Sequence, residues 1–315
     1  MAAARHPRHS GLRWHITWAL ATMVTTALLL VGPAGASEKT RPQYDVSLGD
    51  SYGAGYQPVA SARAGRDTKG FAYQVVGLAE AKGYDFTLRN FACDGATTAT
   101  IVQQAGCSLT APGPDSVSYP AQTQAAAADR FIADHPGRIG LITVSIGGND
   151  ILGCAAASIF LSCVTNALTA LQANLHTLLV GVRAAAGPGV PIVGLTYPDV
   201  FLGVYQSKDP EQKELAAVSV SGFEHILNPA LASAYAAVGA TFLDVTRATG
   251  AYIPLTESRR SGSHGSVPVA VAEVCALTYV CRLQDVHPTR AGYALIARLI
   301  VATLPAHHGR RGAGR

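Results

Sequence analysis

Five short apolar runs alternating with helix-like stretches predict an α/β fold, a three-layer α/β/α sandwich on a mainly five-stranded parallel sheet. Each run is five to eight residues long and rich in Val, Ile, Leu or Phe, as suits strands covered on both faces. Residues 37–315, the chain beyond an N-terminal leader, are ample for one domain with a sizeable core, and no internal repeat or long linker divides them.

Taken in order, residues 1–36 precede the domain. Arg5, Arg8 and Arg13, an apolar run from Trp18 to Val31, and Ala34-Gly35-Ala36 have the layout of a secretory signal peptide cleaved before Ser37. The apolar run falls short of the roughly 20 residues that a spanning helix needs, so no stable membrane anchor is expected after cleavage. The expectation is a secreted, extracellular protein with one domain over 37–305.

Residues 44–48 read as the first strand, which ends in a Gly-Asp-Ser turn. A helix over 71–82 leads to a second strand over 85–90. A helix over 121–134 and a strand over 138–145 follow, then a helix over 168–186 and a strand over 191–195. Residues 211–238 read as a helix broken near 219–222, followed by a strand over 241–245. A last helix begins near Pro288, where Pro and Thr suit a first turn, and continues over 291–304. Two stretches fall outside this rhythm, 199–210 and 247–284. Both are rich in Gly, Ser and Pro, and such insertions usually cover a site or shape its mouth. Residues 306–315, with Arg310, Arg311 and Arg315, are expected to be a solvated, disordered tail.

The formal charge of +4 is largely a property of the leader. Removing its three arginines from the 24 basic residues leaves 21 against 20 acidic ones, so nucleic acid is not an expected partner. The six cysteines group as Cys93 and Cys107, Cys154 and Cys163, Cys275 and Cys281. In an exported chain an even number so grouped reads as three local disulfides, since nearest-neighbour pairing closes no long loop. No short-spaced Cys or His pairs recur as a zinc site would require, and neither a metal nor an organic cofactor is expected.

The segment Val46-Ser47-Leu48-Gly49-Asp50-Ser51-Tyr52-Gly53-Ala54-Gly55 carries the strongest chemical signal. An apolar run stops at a turn with a hydroxyl at its tip, and glycines at 49, 53 and 55 allow tight backbone angles and close approach of a ligand. Ser51 therefore stands at the carboxyl end of a strand, where open α/β sheets place their ligands, and is the candidate nucleophile.

Three further segments follow in a fixed order: Asn90-Phe91-Ala92-Cys93-Asp94-Gly95-Ala96-Thr97, Ser145-Ile146-Gly147-Gly148-Asn149-Asp150 and Asp285-Val286-His287-Pro288-Thr289. Together with Gly49-Asp50-Ser51 they resemble the four sequence blocks of the SGNH (GDSL-type) hydrolases and span most of residues 37–305. The local cysteine pairs resemble those of secreted actinobacterial esterases and lipases in that family. The resemblance implies a flavodoxin-like SGNH hydrolase fold and a serine esterase or lipase mechanism. In that mechanism His287 is the general base, and the Ser51 and Gly95 backbone N–H groups with the Asn149 side-chain amide form the oxyanion hole. It also implies an acyl-ester substrate, lipid or fatty-acyl esters foremost; a monomer is expected. Taken singly, Gly95 could serve a turn, Asn149 a helix cap and His287 the start of the last helix.

One position departs from the family pattern. The acid commonly stands three residues before the histidine, where this chain has Gln284, and Asp285 comes one residue later. A separation of two turns the side chain another way unless the local backbone differs. Three groups are left open to orient His287: a carbonyl from the loop before Gln284, Asp285, and Gln284 itself.

Other functions share parts of this pattern. Carbohydrate O-deacetylation and acyl transfer to an acceptor other than water use the same residues. A binding protein that has lost catalysis fits poorly with Ser51, Gly95, Asn149 and His287 all present. A metallophosphoesterase needs an early Asp-x-His on its first strand, but Asp285-Val286-His287 lies near the C-terminus.

Overall fold

The computed structural model describes residues 43–58, 65–66, 69–107, 115–157, 159–260 and 265–306. The leader expected over 1–36 lies outside them, as does the tail from 307 onward.

The five apolar runs form one parallel sheet: β1 (Gln43–Gly49), β2 (Phe86–Asn90), β3 (Ile139–Ser145), β4 (Ile192–Leu195) and β5 (Thr241–Leu243). Their spatial order is β2-β1-β3-β4-β5. This is the flavodoxin-like order, in which the chain passes from β1 out to β2 and then crosses back to β3 on the other side of β1. Alternation along the strands supplies two buried faces. Val46, Leu48, Ile142 and Val144 pack with Leu171, Leu175 and Leu178 of α6 (Phe160–Ala186) and with Tyr235 of α8 (Asn228–Ala237). On the other face Leu88, Leu141 and Val193 meet Phe71 and Val75 of α2 (Phe71–Glu80) and Tyr293, Ile296 and Ile300 of α11 (Arg290–Thr303). Helices thus cover both sides, as expected.

Four of the differences from the sequence reading have a clear local cause or consequence. Helix α6 begins at Phe160, two turns before the expected start at 168, and its buried Val164 lies seven residues before Leu171 on the same stripe. The last strand stops at Leu243 because Asp244 caps a short turn, accepting from the Arg247 N–H at 2.8 Å. Helix α7 (Pro210–Gly222) runs to the end of the expected break, and a π-turn over Phe223–Leu227 then joins it to α8. Pro229 accounts for that turn: it has no N–H for the ladder, and its ring would crowd the carbonyl four residues back in an uninterrupted α-helix. Finally, the stretch 247–284 holds two helices, α9 (Val269–Leu277) and α10 (Val280–Leu283). Val271 and Val274 of α9 form a third apolar cluster with Leu202 and Val267.

One buried carboxyl is out of place in this frame. Asp45 on β1 faces the α2/α11 layer in register with Leu88 and Leu141, fully buried and with no hydrogen-bond partner for either oxygen among the described residues. Burial pushes its carboxyl up to about 8 from an ordinary 3.8. Between these values the unfolded chain is ionised while the folded protein holds the proton, so stability falls as pH rises from about 4 toward 8. Asp45→Val is expected to raise the unfolding free energy at pH 7 by about 4 kcal/mol. Urea denaturation at pH 7 and pH 4 checks this, with a smaller gain at pH 4.

Candidate active site

The turn after β1 is built around glycine. Gly49 has φ of 137°, and a Cβ there would lie 1.9 Å from the Ser145 carbonyl oxygen, so a side chain is excluded. Asp50 caps the one-turn helix α1 (Ser51–Ala54), accepting from the Tyr52 N–H at 3.0 Å. Gln124, the first residue of α4 (Gln124–Ala133), accepts from Gly49 N–H at 2.7 Å and donates to Gly49 O at 3.0 Å. The Ser51 turn is therefore gripped from both sides.

His287 reaches that turn from 236 residues further along the chain. Its Nε2 lies 2.7 Å from Ser51 Oγ, and its Nδ1 lies 2.7 Å from Asp285 Oδ1. With Nδ1–H donated to the carboxylate, Nε2 is left to accept from the serine hydroxyl. The same Asp285 oxygen accepts from the His287 backbone N–H at 2.9 Å. Of the three groups left open by the sequence, Asp285 is the one that meets the ring. The reason is Gln284, which ends α10 in the left-handed region at φ 55° and ψ 31°. That turn redirects the next side chain, so a separation of two suffices. Burial raises the Asp285 pKa, but hydrogen bonds from the His287 ring and backbone N–H, with the histidine's charge, outweigh it and hold the carboxyl below its ordinary value.

Several contacts lock the histidine loop to the serine turn. Tyr52 OH donates to Val286 O at 2.6 Å, and the Tyr56 and His287 ring centroids are 4.3 Å apart. Buried Gln57 donates to Pro288 O at 2.9 Å and accepts from Tyr279 OH at 3.1 Å. The cysteines pair as Cys93–Cys107, Cys154–Cys163 and Cys275–Cys281. The third bridge joins α9 to α10, immediately before Gln284 and Asp285.

Asn149 stands in the first turn of α5 (Gly148–Leu152), just after β3, so Ser51 and Asn149 flank the β1/β3 switch point. Its side-chain N–H₂ donates to Ala96 O at 2.8 Å, which leaves a second N–H free to point at a ligand. Asp150 ties the same two segments together, accepting from Thr98 N–H at 2.9 Å and Thr98 Oγ1 at 2.5 Å. Gly95 is in the left-handed region at φ 72°. It does not line the Ser51 cleft; it borders a neighbouring groove with Cys93, Asp94 and Ala96. The segment leading to it is fixed to the serine turn, since Cys93 N–H donates to Gly49 O at 2.9 Å.

Tyr197 was not singled out in the sequence, although it follows β4 at the carboxyl edge of the sheet. Its hydroxyl donates to Asp50 Oδ2 at 2.6 Å, and a Cβ on Gly148 would come within 2.9 Å of its ring. One side chain thus braces both the serine and the asparagine turns. Burial pushes the Asp50 carboxyl up to about 7, opposed by the hydrogen bonds from Tyr197 and Tyr52 N–H and by the charge of His287. Gln124 likewise carried no motif.

From Ser51 and Asn149 a cleft opens between Ile151, Tyr197, Phe201 and Phe223. Pro198, Val200 and Phe201 place the 199–210 stretch and its approach at this wall. Among the described residues no three His, Cys, Asp or Glu side chains are grouped to hold a metal, and no helix is long and apolar enough to cross a membrane.

A serine hydroxyl on a histidine, the histidine on a carboxylate, and an amide donor beside them at the end of a parallel sheet define the serine hydrolase class. Residues 47–295 match the model of the GDSL-like Lipase/Acylhydrolase family, and the chain belongs to that family of ester-hydrolysing enzymes. Among solved structures it is similar to an extracellular lipase from Streptomyces rimosus, with a TM-score of 0.51 and 21% identity over 82% of this chain and 98% of that one. It is also similar to a phospholipase A1 from Streptomyces albidoflavus NA297, with a TM-score of 0.49 and 20% identity over 83% and 98% of the two chains. No curated protein matches at a significant level.

Proposed function

We propose that this protein is a secreted serine esterase or lipase that cleaves fatty-acyl esters through an acyl-enzyme on Ser51. The 2.7 Å contact between Ser51 Oγ and His287 Nε2, at the head of an apolar cleft, carries the reading. His287 takes the hydroxyl proton as Oγ attacks the acyl carbon, and Asp285 holds the ring in the tautomer this requires. The negative charge on the former carbonyl oxygen is met by the Asn149 amide and the Ser51 backbone N–H, with the Gly95 N–H assigned as a third donor on the family resemblance alone. Collapse expels the alcohol with the proton from His287. A water, deprotonated by the same imidazole, then releases the acid.

The apolar wall supports fatty-acyl over acetyl-sugar substrates, since sugar hydroxyls bound at Ile151, Phe201 and Phe223 would lose their hydrogen bonds. Three disulfides and the N-terminal sequence pattern support export to an oxidising compartment. Acyl release by the purified protein from esters of two to eighteen carbons tests the reading: kcat/KM is expected to rise with chain length beyond four carbons. A preference for acetyl esters would point to a deacetylase instead.

Asp285→Asn tests the carboxylate. A neutral amide can present an N–H to Nδ1 and favour the wrong tautomer. Because the Asp285 side chain is 23% exposed, water can partly replace it, and the expected loss is about 100-fold in kcat with little change in KM.

A further inference from the structure

Tyr197 touches both donor-bearing turns of the site and is itself held from behind. Thr246 Oγ1 donates to the Tyr197 carbonyl at 2.7 Å, and Thr196 Oγ1 donates to Asn228 Oδ1 at 2.8 Å. Asn228 Nδ2 lies 2.7 Å from Tyr252 OH, 2.9 Å from Asp244 Oδ1 and 3.2 Å from Thr246 Oγ1. Thr196, Asn228 and Thr246 are buried, so this connected polar network fixes the backbone from which the Tyr197 ring projects.

Toward the site the Tyr197 hydroxyl donates to Asp50 Oδ2, while Asp50 Oδ1 accepts from the Tyr52 N–H. Asp50 thus caps α1 through the second N–H of that helix and leaves the first, on Ser51, for the oxyanion. The Tyr197 ring lies against Gly148, whose missing Cβ would come within 2.9 Å of it, and Gly148 carries Asn149.

Resting on the hydrolase reading of Ser51, we propose that Tyr197 is a positioning residue for the reaction: through Asp50 its hydroxyl aims the Ser51 N–H, and through Gly148 its ring aims the Asn149 amide, at one oxyanion. Around Asp50 stand Tyr52, Tyr197, the His287 ring, Asp150 of α5, Tyr235 of α8 and Tyr293 of α11. Burial pushes all four tyrosines above their ordinary value, so they stay neutral and Tyr197 stays a donor. Asp150 opposes the Asp50 charge; the Tyr197 hydroxyl, the Tyr52 N–H and His287 favour it. Loss of the Tyr197 hydroxyl therefore keeps Asp50 protonated to higher pH, and a protonated Asp50 no longer attracts the imidazolium that forms on His287.

The test compares kcat, KM and their pH dependence for the full chain, Tyr197→Phe, Tyr197→Leu and Asp50→Asn on one p-nitrophenyl ester. Tyr197→Phe keeps the ring and is expected to lose about tenfold in kcat with KM unchanged, the acid limb of kcat moving to higher pH. In an Asp50→Asn background, which has no charge to lose, the same substitution is expected to move no limb. Tyr197→Leu also releases Gly148 and is expected to lose about 100-fold or more, but only about tenfold when Asn149→Ala is already present, because the Asn149 share is then gone. An unchanged kcat in Tyr197→Phe, a loss equal at every pH, a change confined to KM, or losses of Tyr197→Leu and Asn149→Ala that multiply in full overturns the proposal. Should Tyr197→Leu fail to fold by circular dichroism, Tyr197→Phe with and without Asp50→Asn decides.

If the unmodified protein cleaves no ester, the hydrolase reading has failed, and the joint is tested by the crystal structures of the unmodified protein and Tyr197→Leu. Displacement of both Ser51 N and Asn149 Nδ2 by about 0.5 Å or more supports it; either atom left in place rejects it.

Discussion

Ser51→Ala and His287→Ala are each expected to lower kcat for ester hydrolysis by about 10⁴-fold or more, and the double variant is expected to be no worse than either alone. The two side chains are one device, joined at 2.7 Å. Without the hydroxyl there is no acyl-enzyme for the imidazole to serve, and without the imidazole the hydroxyl keeps its proton. Losses that multiplied in the double variant would mean that the residues act independently. Neither substitution should much affect the fold, because the turn is held by Gly49, Asp50 and Gln124 rather than by the nucleophile. Steady-state kinetics on one activated ester, with thermal melts of all three variants, checks both points.

Asn149→Ala comes second, with an expected loss of about 100-fold to 1000-fold in kcat and a small change in KM. The developing oxyanion needs a donor already in position, and Asn149 is positioned by its bond to Ala96 O and by the Gly148–Tyr197 contact. Asn149→Asp keeps the size of the side chain, but its carboxylate offers no N–H to the oxyanion or to Ala96 O and adds negative charge beside both. It is expected to be at least as slow as Asn149→Ala, whereas a near-normal rate would show that no side-chain donor is needed at this position.

The parts of this molecule that follow from local pattern were legible in the sequence. Short apolar runs gave the five strands, and the glycine-bounded Ser51 turn and the glycines before Asn149 stand at strand ends as the motifs implied. Less legible were features set by distant contacts. In the first two turns of α6 only Val164 among residues 161–167 is buried on the Leu171 stripe, too little to mark a helical period. The apolar helix α9 lacks a polar face to mark its period. The π-turn follows from Pro229, yet a proline marks a break more readily than its form. The partner of His287 was undecidable from spacing alone, because it depends on a left-handed Gln284, a conformation that sequence signals mainly at glycine or asparagine. Tyr197 and Gln124 act on the site through long-range hydrogen bonds, one from Tyr197 to Asp50 and two between Gln124 and Gly49, which no local pattern encodes.

The central claim is that Ser51 is a nucleophile activated by His287. Its most direct measurement is labelling of the folded protein with a fluorophosphonate, followed by mass analysis of the modified peptide. One label per chain on Ser51, absent from Ser51→Ala and slowed by orders of magnitude in His287→Ala, is the predicted result. A folded protein that takes up no label, or that carries it on another residue, would contradict the account.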